Sequence, residues 1–216
     1  VSVDARRPGE APGPVLLTGF APFDGQRTNA SWLAVEEVSR TWTGPAPLVV
    51  EQLPVSYARG PAELAGWVER YRPSVVVATG EAGGRAAVGL ERVAVNVADA
   101  TIPDEDGVLR TEEPLDPEGP AAYLSGLPLR GCLAAVARTG VPVEVSASAG
   151  AFVCNATFYR LMTVVAGTSA VAGFVHVPRT PAQVGPGAPA MVTVDAALAL
   201  RTVLENVSVG ARTVGA

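Results

Sequence analysis

Acid–base or thiol chemistry near neutral pH has few candidates in this chain. Its 216 residues include one histidine and two cysteines, so an imidazole base or a thiol nucleophile must come from His176, Cys132 or Cys154. Cys154 lies where a β-branched run ending near Ala147 passes through small residues into a helical stretch. Free N–H groups and the macrodipole at a helix start favour an anion, so this setting is expected to bias the thiol toward thiolate. His176 ends the apolar run from Gly173 to Pro178, and parallel sheets bind ligands outside the carboxyl ends of their strands. Each residue also has a plain structural reading, because cysteine is among the most buried residue types and a histidine on an apolar strand is commonly a hydrogen-bonded core residue. Cys132, in the helical run from Leu129 to Val136, has only a packing environment.

One helix and one strand separate Cys154 from His176 in sequence. Adjacent strand ends would bring thiol and imidazole together for nucleophilic catalysis. A third group should then hold the imidazole in the right tautomer. Glu91 is a carboxylate within an apolar alternating run, where a charge is costly unless paired. Spacing alone does not separate it from Asp99 or Asp104, and an outward-facing Glu91 or an ion pair with Arg92 is equally open.

The elements that must carry these residues alternate in type. Val15 to Thr18, Leu48 to Val55, Ser74 to Thr79, Val88 to Val97, Val141 to Ala147 and Ala170 to Val177 read as strands. Ser31 to Trp42, Tyr57 to Arg72, Leu129 to Arg138, Ala151 to Val165 and Thr193 to Val207 carry helical spacing, with Gly or Pro at most ends. Such alternation predicts the α/β class: a single-domain α/β/α sandwich with a largely parallel twisted central sheet. Pro103 to Pro128 does not fit the pattern. Acidic residues, glycines and five prolines (Pro103, Pro114, Pro117, Pro120, Pro128) make it a long surface excursion, of the kind that lines a site or mediates assembly. Residues 1–14 have no apolar segment of the signal-peptide kind and are expected to form a flexible tail, leaving 15–216 as one catalytic domain.

Composition removes several classes. At 48% hydrophobic and 17% charged residues, the chain can bury a sizeable core. Its formal charge is −5, and its scattered arginines form no stripe for nucleic acid. No apolar run is long enough to cross a membrane. The two cysteines offer neither a disulfide framework nor a zinc-site spacing, which points to a reducing, cytoplasmic setting.

Three strings together resemble the pyrrolidone carboxyl peptidases, also called pyroglutamyl peptidase I. TGFAPFDG at Thr18 to Gly25, followed by NASW at Asn29 to Trp32, is similar to that family's opening TGFxPFxG and NPSW. GEAGGR at Gly80 to Arg85 with LERVAVN at Leu90 to Asn96 resembles its glutamate signature, and AGAFVCN at Ala149 to Asn155 its cysteine signature. GFVHVP at Gly173 to Pro178 matches the histidine segment. The resemblance implies an enzyme that removes an N-terminal pyroglutamyl residue from peptides through Cys154 as nucleophile, His176 as base and then acid, and Glu91 as orienting carboxylate. It implies no metal or cofactor, and a homo-oligomer, tetramer or dimer. Phe20, Phe23, Ile102, Phe152 and Val153 would map onto the pocket for the pyrrolidone ring, Asn29 onto the group bonding the lactam oxygen, and the Glu81 backbone onto the acceptor of the lactam N–H. The Cys154 backbone N–H would hold the oxyanion.

A flat ring with one donor and one acceptor suits such a pocket, because a site built to bond a lactam leaves its polar groups unpaired against other residues. A cysteine hydrolase of other small amides would not need Phe20, Phe23 and Asn29, and a non-hydrolytic relative would not need an intact Cys, His and Glu set. Three positions depart from the family pattern: Glu81 replaces a Gln, Ala30 a Pro, and Thr101 an Arg. Thr101 supplies no guanidinium to an oxyanion, so the enzyme is expected either to recruit another arginine, with Arg85 the first candidate, or to turn over more slowly. With one imidazole in the chain, His176→Ala is expected to abolish nearly all turnover of a pyroglutamyl amide; substantial residual turnover would refute its role as base.

Overall fold

Runs of β-branched and other apolar residues build the strands, which are buried at the centre of the sheet and partly exposed at its two edges. In the computed structural model, which describes the backbone of residues 13–213 and the side chains of 13–208, these strands are β1 (Val15–Phe20), β2 (Leu48–Leu53), β3 (Val75–Ala82), β4 (Val88–Glu91), β7 (Val143–Ser146) and β8 (Val171–Pro178). They form one six-stranded sheet in the order β2-β1-β3-β8-β4-β7. β2, β1, β3 and β8 run parallel; β4 and β7 are parallel to each other, and β4 meets β8 antiparallel.

Side chains alternate between the two faces of this sheet. Val15, Leu17, Val75, Val77, Val175 and Val177 join one core with α1 (Ala30–Thr41), α3 (Leu129–Ala137) and α5 (Thr193–Thr213). Leu16, Val76, Ala78 and Phe174 join the other with α2 (Arg59–Tyr71) and α4 (Val153–Val165). The result is the expected α/β sandwich.

Three local expectations change. The apolar run from Val88 to Val97 is two strands, because after Glu91 the chain leaves the main sheet and β5 (Val93–Val95) pairs antiparallel with β6 (Ala122–Leu124). β6 lies inside the segment read as irregular, where its three residues are too short to carry a periodic pattern. The excursion is also tied down: the buried Asp104 carboxylate accepts from the N–H groups of Tyr57, Asp106 and Val108 at 2.9–3.0 Å, and Arg59 pairs with Glu105 and Asp106. Of the expected tail, residues 1–12 lie outside the described residues, while the carbonyls of Gly13 and Pro14 already accept hydrogen bonds from Ser74.

Strand order also alters how Cys154 reaches His176. β7 and β8 are not neighbours, since β4 stands between them. The thiol instead arrives on the first turn of α4, which lies over the sheet and is anchored by Asn155. That fully buried amide accepts from Val95 N–H at 2.9 Å and donates to the carbonyls of Val95 and Val97 at 2.8 and 3.0 Å. Asn155→Ala strands these backbone groups and is expected to destabilise the fold by about 2–3 kcal/mol, read as a lower urea midpoint with unchanged m-value; an unchanged midpoint would contradict this anchoring.

Candidate active site

His176 lies near the carboxyl end of β8, flanked in register by Gly80 on β3 and Gly89 on β4. Both glycines are there for space. A Cβ on Gly80 would stand 2.7 Å from Cys154 Sγ and 3.1 Å from His176 Cδ2, so thiol and imidazole share the volume above that residue. A Cβ on Gly89 would stand 2.5 Å from Arg85 Nη1 and 3.3 Å from Glu91 Oε1. The cleared space lets Arg85 and Glu91 reach across β4 toward the imidazole. Neither glycine was singled out from sequence, although an isolated glycine in a strand pattern signals a close approach.

Glu91 is fully buried, and its Oε1 accepts from His176 Nδ1 at 2.8 Å and from Arg85 Nη1 at 2.8 Å. Of the three carboxylates left open by spacing, it is the one on the imidazole. Burial would raise its carboxyl, but bonding and charge from His176, with Ser146 and Arg85, hold it below the usual carboxylate value. An ionised carboxylate only accepts, so the proton sits on Nδ1 and leaves Nε2 as the free acceptor. Phe174 packs against the ring at 4.9 Å between centroids.

The thiol does not follow its helix-start expectation. Burial first, then the charges of Glu91 and Glu81, push Cys154 up to about 12, against the opposing pull of Arg85 and of a backbone N–H. A helix dipole contributes about 0.3–1 kcal/mol, under one pH unit in most settings, and here it is outweighed. Cys154 is therefore a neutral thiol at rest and needs a base. Cys132 is fully buried in the core and likewise pushed up, to about 11.

Beside the thiol is a cavity of about 190 Å³ whose walls include Phe20, Phe23, Asn29, Glu81, Ile102, Phe152 and Val153. Phe152 is packed between Phe23 at 5.7 Å and Tyr57 at 5.5 Å, the latter edge-on. The volume is below the roughly 300–1,000 Å³ of drug-sized pockets, so it suits one small ring. Asn29 caps α1: its Oδ1 accepts from Ser31 N–H and Oγ, and its Nδ2 donates to the Ala21 carbonyl at 3.1 Å, leaving a second amide hydrogen on Nδ2.

Neither Thr101 nor Arg85, the two side chains considered for the oxyanion, is among the cavity walls. Thr101 is exposed and does not line the cavity. Arg85 is committed to Glu91 and, at 3.3 Å, to the Ser148 carbonyl, because the gap over Gly89 aims it at the carboxylate. Sequence reading missed Arg179, which lines the cavity from the turn after β8. Its contacts with Glu81 and over Gly83 mark it, and nothing in its local sequence does. The N–H of Cys154, in the first turn of α4 where N–H groups lack intrahelical partners, acts on its own thiol. Among the described residues, no three His, Cys, Asp or Glu side chains gather as metal ligands would, and no helix is long and apolar enough to cross a membrane.

Comparison with known proteins follows the same lines. The family model described as pyroglutamyl peptidase matches residues 14–215. A pyrrolidone-carboxylate peptidase of Erwinia tasmaniensis is 42% identical over 188 residues, covering 86% of this chain and 88% of that protein. One from Clavibacter michiganensis is 44% identical over 192 residues, covering 88% and 90%. Among solved structures, Bacillus amyloliquefaciens pyroglutamyl peptidase I superposes with a TM-score of 0.87 at 36% identity, covering 91% of this chain and 97% of the other. The pyrrolidone carboxyl peptidase of Thermococcus litoralis superposes with a TM-score of 0.89 at 31% identity, covering 93% and 96%.

Gly80→Ala tests the shared space directly. Its methyl group must displace the thiol or the ring, and misplacement of about 1 Å costs on the order of 100-fold in kcat. Loss of that size with an unchanged circular dichroism spectrum is the expected result; a normal kcat in this variant would show that the two side chains do not need the gap.

Proposed function

Because this chain belongs to the pyroglutamyl peptidase family, we infer that it hydrolyses the amide bond joining an N-terminal pyroglutamyl residue to the rest of a peptide, and we propose that Cys154, His176 and Glu91 carry the reaction. The chain is a hydrolase. The observation that carries the residue assignment is the chain's one imidazole, bonded through Nδ1 to buried Glu91 while sharing the space over Gly80 with Cys154 Sγ.

In this reading the pyrrolidone ring enters between Phe23 and Phe152, Asn29 Nδ2 donates its second hydrogen to the lactam oxygen, and the Glu81 backbone carbonyl accepts the lactam N–H. His176 Nε2 takes the Sγ proton as the sulfur electron pair attacks the pyroglutamyl carbonyl carbon. The carbonyl π electrons move to oxygen, which faces the Cys154 N–H at the start of α4; one such donor contributes about 3 kcal/mol in the transition state. Collapse breaks the C–N bond, and the leaving amine takes the proton from Nε2. Water then attacks the thioester, giving its proton to His176, and pyroglutamate leaves as Sγ recovers a proton. Because the resting thiol is neutral, attack and proton transfer to His176 are coupled.

Residues 15–216 act as one catalytic unit in this proposal, and the chain assembles as a dimer or tetramer in a reducing cytoplasm. The two free thiols support the compartment. The deciding experiment is hydrolysis of a pyroglutamyl chromogenic amide, with the prolyl amide as control. Wild type should cleave the first and spare the second, and Cys154→Ala should lose on the order of a thousandfold or more. Cleavage that persists without the thiol, or extends equally to the prolyl amide, would refute the reading.

A further inference from the structure

Two carboxylates flank the Cys154 thiol, and each is held by an arginine. Glu91 is bonded by Arg85. Glu81, near the end of β3 with its side chain 10% exposed, accepts from Arg179 Nε at 2.8 Å through Oε1. Its Oε2 accepts from the N–H of Ala30, the first residue of α1, and from Gln183 Nε2, both at 2.7 Å. Gln183 is itself fixed, its Oε1 accepting from Thr180 N–H and Oγ at 3.0 Å. The Glu81 carboxylate thus joins the start of α1, the end of β3 and the turn after β8 at the wall of the cavity that holds the thiol.

We propose that Arg179 is a positioning residue for the reaction at Cys154: by bonding Glu81 Oε1 it cancels that carboxylate's charge and holds it in place as a wall of the acyl pocket. The proposal rests on the assignment of Cys154 as nucleophile and adds a determinant of its reactivity. Without Arg179, Glu81 would stand as a bare charge next to the position where a thiolate and then an oxyanion must form, and its charge already opposes ionisation of the thiol. The hydrogen bonds make the two residues interdependent. A glutamine at 81 could keep its oxygen toward Ala30 and Gln183, but its amide would then oppose Arg179 Nε, donor against donor. An amide at 81 is therefore compatible with a neutral residue at 179, and a carboxylate at 81 with an arginine.

The titratable and charged groups around Cys154 are Glu91 from β4, Glu81 from β3, His176 from β8, Arg85 from the β3–β4 turn, Arg179 from the turn after β8, Asp24 on the cavity wall from the loop after β1, and Tyr57 beyond Phe152. Arg179→Met, Glu81→Gln and the double variant change the charge there by opposite signs and then by none. Each is measured for kcat/KM on a pyroglutamyl amide and for the rate of iodoacetamide alkylation at Cys154 at one fixed pH below the thiol's titration, resolved from Cys132 by peptide mass. Arg179→Met should slow alkylation and lower kcat/KM, each roughly tenfold, and slower alkylation is the opposite of what loosening the fold and hydrating the buried thiol would produce. Glu81→Gln should speed alkylation. The double variant should bring the alkylation rate back toward wild type and recover most of the kcat/KM lost in Arg179→Met. An unchanged alkylation rate in Arg179→Met, or a double variant no better than that single one, would overturn the proposal. Absence of pyroglutamyl cleavage by wild type would overturn the functional reading instead, while the alkylation rates would still decide the charge pair.

Discussion

A carboxylate removed from water is the constraint around which the catalytic end of this sheet is arranged. Taking an ion of this kind out of water costs several kcal/mol, so Glu91 at zero exposure must be matched by donors that reach it. His176 Nδ1 and Arg85 Nη1 do so at 2.8 Å each. Meeting that demand forces β4 against β8, requires glycine at position 89, and leaves the imidazole with its proton on the side away from the thiol. The same requirement that stabilises the buried charge therefore sets the tautomer a general base needs.

The electrostatics of the thiol follow from this arrangement. With the charges of Glu91 and Glu81 opposing ionisation, and burial acting in the same direction, Cys154 stays protonated. The start of α4 is too weak to reverse this, since a helix dipole offsets at most about 2 kcal/mol in favourable geometry. In the proposed mechanism that helix start serves the oxyanion, whose charge develops only during attack. Arg85 and Arg179 then act through the carboxylates they neutralise: each arginine lowers the local negative charge while keeping its own guanidinium bonded.

Much of the architecture was legible because burial on both faces writes itself into sequence as short runs of Val, Leu and Ala. β1, β2, β3 and β8, and all five helices, begin within about two residues of their expected starts, a scatter normal for element ends. The failures have local causes. Val88 to Val97 reads as one alternating run, so periodicity carried no mark of the chain leaving the main sheet after Glu91. β6 has three residues and gains its order from β5, a partner remote in sequence. The excursion looked irregular because Asp104, Glu105 and Asp106 satisfy backbone and Arg59 across space and not along the chain.

By itself the sequence determined the inventory: one imidazole, two thiols of which one stands at a helix start, strands and helices in alternation, and motif strings that named a family. These properties are local, carried by residue type and by spacing within a dozen positions. The motif strings implied Glu91 as the partner of His176, where spacing had left three carboxylates open; tertiary structure alone decided that Arg85 serves Glu91, that α4 and not an adjacent strand end delivers the thiol, and that Arg179 belongs to the site at all. Each of those depends on strand order and on the two gaps at Gly80 and Gly89, where residues nearly a hundred positions apart compete for one small volume and one buried charge. Sequence spacing does not encode such competition, because Coulomb and packing forces act through space along a path that only the folded sheet defines.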